Sequence, residues 1–92
     1  MIVYKLYRAG EEKAVAQSCF LPTVQEKVME LLSSEFRSVM LSENCKTVSV
    51  VDHKGTPNRI LIVSPTGDSD TIMYMDYETA DEIYRIEKDK LK

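Results

Sequence analysis

Tryptophan is absent from this sequence, glycine and proline occur three times each, cysteine twice and histidine once. The three glycines, Gly10, Gly55 and Gly67, fall in three separate turn-like stretches. A phosphate-cradling loop or a dinucleotide fingerprint needs several glycines in one segment, so neither can be written here. The lone histidine, His53, is the only imidazole base open to a serine or cysteine nucleophile. Cys19 and Cys45 have no C-x-x-C spacing and read as two free, partly buried thiols in a reducing compartment. No apolar run approaches the ~18 residues that span a membrane. Residues 1–8 alternate apolar and polar side chains where a secretory leader would be continuously apolar. The expectation is a cytoplasmic protein with no membrane association and no bound cofactor.

What is present suits a single small domain, residues 1–92, with 43% apolar and 29% charged residues. A core of this size leaves a thin stability margin, which a second copy could widen. The net charge of −3 is unevenly placed. Residues 1–65 hold eight basic and seven acidic groups, whereas residues 66–92 hold four basic and eight acidic. A basic stripe, the usual footprint of a nucleic-acid binder, is missing.

Along the chain, residues 2–8 alternate with period two, a strand pattern, and residues 9–12 form a turn. Residues 13–21 then read as a returning strand. Thr23 and Glu26 have the spacing of a capping box, with Phe20 or Leu21 available to brace the entry. Val24, Val28, Leu31, Leu32, Phe36, Val39 and Met40 recur at three- and four-residue steps and predict a helix ending near Leu41. Residues 46–53, 59–64 and 71–76 predict three strands, joined by turns at 53–58 and 65–70. The middle one is a continuous apolar run, suited to burial on both faces. Short loops between neighbours make the set an antiparallel meander. Ala80, Ile83, Tyr84 and Leu91 predict a second helix, capped by Asp76.

The predicted fold is α+β: an antiparallel sheet of four to five strands with two helices packed on one face, in the order ββαβββα. Helix, three strands, helix is also the order of the double-stranded-RNA-binding module, which needs lysines at the start of its last helix. Here that position carries Asp76, Glu78, Asp81 and Glu82, which argues against nucleic acid.

Those four carboxylates and His53 are the candidate site residues. Acid at a helix entrance complements the helix dipole, and it could also dock a partner with a basic surface. Antiparallel geometry places His53 and Asp76 at one end of the sheet, two strands apart, roughly 10 Å at the usual strand spacing. They could flank a ligand without touching. Asp68 and Asp70 lie in a glycine-containing turn but lack the remaining ligands of a calcium loop, and no metal site is proposed. No nucleophile, metal cluster or cofactor motif assembles. The functional expectation is a non-catalytic protein-interaction module, a small adaptor or inhibitor acting by surface contact as a homodimer or on a larger partner. The alternatives are a small enzyme or ligand-binding domain with its site at His53 and Asp76, and a nucleic-acid module, which the acidic segment disfavours.

Overall fold

In the computed structural model, which describes residues 1–64 and 71–90, the alternating run near the start is strand β1, Ile2–Arg8. The chain continues through β2 (Ala16–Ser18), α1 (Leu21–Glu35), β3 (Ser38–Leu41), β4 (Thr47–Val51), β5 (Pro57–Val63), β6 (Thr71–Asp76) and β7 (Glu82–Lys90). These strands form one antiparallel sheet in the order β2-β1-β7-β6-β5-β4-β3. The sheet curls into a half-barrel around α1, which carries the chain from the β2 edge to the β3 edge.

Alternation along each strand sends one set of side chains toward the helix. Leu6, Ile86, Ile72, Tyr74, Ile60, Val48 and Val50 line the concave face and close on Val24, Val28 and Leu32, which are spaced four apart on one stripe of α1. Tyr84 completes this core and donates from its hydroxyl to Glu35 Oε1 at 2.6 Å, tying β7 to the last residue of the helix. The convex face is different in kind. Lys5 Nζ pairs with Asp89 at 3.2 Å and Arg85 Nε with Glu87 at 3.3 Å, while Leu61, Val63, Met73 and Met75 are half-buried.

Two helices on a sheet of four to five strands, the architecture expected from the sequence, is not what forms: the described residues hold seven strands and one helix. The predicted second helix is β7. Ile83 and Tyr84 fit a helical stripe, but Tyr84 and Ile86 also alternate with Arg85 and Glu87, and both members of the first pair are buried. The long edge of β1 decides between the periods, because β7 pairs with every residue of it, from Ile2 opposite Lys90 to Arg8 opposite Tyr84. A helix would leave that edge without hydrogen bonds.

The first helix also differs at both ends. Pro22 occupies its first turn, where a missing N–H costs nothing, so the helix begins at Leu21 and Thr23 already lies inside it. Phe20 is the N-cap with no side-chain capping bond, and its ring is 71% exposed instead of bracing the entry. At the other end the chain turns extended at Phe36, after Ser34 Oγ donates to the Leu31 carbonyl. Residues 38–41, expected as the last helical turn, become β3, with Val39 against the core and Met40 70% exposed. Of the returning strand at 13–21, only Ala16–Ser18 pairs.

The three-strand meander stands as β4, β5 and β6. Its middle strand is not buried on both faces, since α1 covers only the concave side and Ile60 alone is fully enclosed. The turn at 65–70, with Asp68 and Asp70, and the final apolar residue Leu91 lie outside the described residues. Among the described residues no helix is long and apolar enough to cross a membrane.

Candidate functional site

The β4–β5 and β6–β7 turns lie at the same end of the sheet, so His53 and the acidic segment do share an end. His53 sits exposed in a tight turn built by its neighbour. Asp52 Oδ1 accepts from the Thr56 amide at 2.9 Å and the Lys54 amide at 2.8 Å. The Thr56 bond is the larger cause of a carboxyl pKa below the ordinary value; partial burial opposes it and the Lys54 bond adds to it.

The acidic segment is a hairpin turn and not a helix entrance, so the helix-dipole account of its charge does not apply. Asp76 is nonetheless a cap in the local sense. Its Oδ1 accepts from the Glu78 amide at 2.9 Å and the Thr79 amide at 3.0 Å, and its Oδ2 accepts from Asn58 Nδ2 at 2.9 Å. Ala80, in the left-handed region at φ 62°, then reverses the chain, and Asp81 returns its carbonyl to the Asp76 amide. Asp76 is thus committed to holding β5, β6 and the turn together. Glu82 lies 3.7 Å from Arg85 Nε, Glu78 and Asp81 are exposed, and the Arg59 guanidinium stands over the Tyr77 ring at 5.9 Å. A cation beside the acids weakens this turn as a dock for a basic surface.

A second site was not read from the sequence. Pro22, Gln25, Glu26 and Met29 lie three and four apart on one flank of α1, beside the stripe that enters the core. Facing them across a cleft of about 250 Å³ are Leu41 from β3, Cys45 from the β3–β4 turn, Ile62 from β5 and Tyr74 from β6. The turn is braced by Ser42 Oγ, which accepts from the Lys46 and Thr47 amides, and it holds Cys45 at φ 57°. Tyr74 is 2% exposed, and its hydroxyl makes no hydrogen bond with a described residue. Burial, and secondarily the nearby Cys45 thiol, push its pKa up to about 12. Both cysteines are free and exposed, correcting the expectation of partly buried thiols.

The cleft mixes apolar walls with a polar rim of Gln25 and Glu26, and it has a single phenol for orientation. Its sequence signal was slight: the side chains come from five separate elements or turns, and only their three-dimensional convergence makes them a site. The chain matches no family model, no curated protein and no solved structure.

Proposed function

We propose that this protein is a non-catalytic interaction module, an adaptor or inhibitor, that takes one bulky apolar side chain of a partner protein into the cleft between α1 and β3, β5 and β6. The dimensions and lining of that cleft carry the reading. At about 250 Å³ it falls below the roughly 300–1,000 Å³ of sites that enclose a cofactor or drug-sized ligand. It is nevertheless large enough for a Leu, Phe or Tyr anchor, the kind of residue that dominates protein interfaces. Glu26 on the rim favours a basic or neutral residue beside the anchor, and Tyr74 offers a phenol to a backbone carbonyl. Exposed free thiols at Cys19 and Cys45 fit a reducing cytoplasm.

Selection from a random peptide library tests the proposal. Enriched peptides should share one large apolar residue flanked by Lys or Arg. Met29→Trp, which fills the cleft from the partly buried flank of α1, should weaken them at least tenfold while leaving the melting temperature within a few degrees. Peptides that bind the Met29→Trp protein as well as the parent would overturn it.

A further inference from the structure

We infer that β3 is a homodimerisation edge, on which a second copy of this chain adds its own β3 antiparallel about a two-fold axis through Met40. Among the described residues β3 is the last strand on its side of the sheet. The ladder with β4 pairs Ser38 with Val51 and Met40 with Ser49, and Ser42 donates its amide to the Thr47 carbonyl. Backbone groups alternate in direction along a strand, so those of Val39 and Leu41 point away from β4 into solvent. Natural edges are usually blunted by Lys, Pro or a charged side chain within the strand. β3 has none of these, and it exposes Met40 and Leu41.

The residues around the edge read alike in both directions. Ser38-Val39-Met40-Leu41-Ser42 is chemically palindromic about Met40, and its flanking residues Arg37 and Glu43 are opposite in charge. Turned antiparallel on itself with Met40 opposite Met40, it sets Val39 against Leu41 and Ser38 against Ser42. Just beyond the paired strands, Arg37, whose amide bonds back to the Val51 carbonyl, and Glu43, in the turn that follows Ser42, bring opposite charges of the two copies to each end of the interface. Each Val39–Leu41 pair exchanges two backbone hydrogen bonds, and the Met40 pair between them is the close, non-hydrogen-bonded kind. Arg37 and Glu43 are exposed and make no ion pair with a described residue. Sliding the register by two residues sets Arg37 against Leu41 and parts the opposite charges at both ends. An isologous interface of this kind closes after two copies. It also brings the two clefts side by side, because Leu41 lines each of them.

Sedimentation or light scattering over a range of concentrations should give a species of twice the 10.5 kDa chain mass. Arg37→Glu alone and Glu43→Arg alone should each weaken it at least tenfold, and the Arg37→Glu/Glu43→Arg double variant should recover most of the loss. Met40→Cys, placed in a Cys19→Ser/Cys45→Ser background, should form an intermolecular disulfide under mild oxidation, since the paired Cα separation of ~4.5 Å lies within disulfide range. A monomer at every concentration would overturn the inference, as would a dimer indifferent to both charge reversals or one in which Met40→Cys does not cross-link. None of these measurements depends on whether a peptide enters the cleft.

Discussion

Two tyrosines one strand apart show how far burial alone can mislead about a residue's worth. Tyr74 and Tyr84 are opposite one another on β6 and β7, and both are almost fully enclosed. Tyr84 donates to Glu35, whereas the Tyr74 hydroxyl has no described partner. Tyr84→Phe should therefore cost about 1 kcal/mol in urea unfolding at pH 7, limited by the exposure of Glu35, which water can satisfy instead. Tyr74→Phe should be neutral or slightly stabilising. Both phenols have raised pKa values, burial being the first cause for each, with the Glu35 bond adding at Tyr84. Because the unfolded chain loses these protons first, near pH 10, the stabilisation is whole below that pH. It is lost as the pH rises from about 10 toward the folded value, about 12 for Tyr74. Denaturant midpoints measured at pH 9 and pH 11 should drop less in Tyr74→Phe than in the parent.

At the scale of the element, the β6–β7 hairpin rests on two residues. Asp76→Ala removes the acceptor for two turn amides and Asn58, and should cost about 2 kcal/mol, while Asp76→Asn keeps one acceptor oxygen and should cost less. Ala80→Gly should stabilise by about 0.5–1 kcal/mol, because glycine enters the left-handed region without the steric penalty of a Cβ. Thermal melts of the three variants check both statements. The same hairpin explains what the sequence could and could not reveal. Asp76 was legible as a cap, since Asx side chains bind amides two and three residues on in either a helix or a turn. The element beyond the cap was not legible, because one turn of local hydrogen bonding is common to both outcomes and only pairing with β1 selects the strand. Phe36, Val39 and Met40 posed the same ambiguity, and the free edge of β4 resolved it. The meander β4–β6 was readable because its turns are short and its partners adjacent. The cleft was unreadable for the opposite reason: Met29, Ile62 and Tyr74 look like any core residues until the curl of the sheet leaves a gap between them.

For the molecule as a whole, one helix serves as core for seven described strands, so its buried stripe should be intolerant of truncation. Leu32, with no exposed surface, packs on the concave face, and Leu32→Ala should cost about 3 kcal/mol, a fall in melting temperature of more than ~10 °C for a chain of this length. Differential scanning calorimetry measures both quantities. The pairing of β1 with β7 has a consequence in time. β1 is the first and β7 the last of the described strands in chain order, yet they are neighbours along the full length of β1, Ile2 beside Lys90. Closing so long a loop is entropically costly, and folds dominated by such pairings assemble slowly, on the order of milliseconds to seconds. During synthesis the meander can form as it emerges, but β1 keeps one bare edge until β7, the most distant of the described strands, has left the ribosome as well.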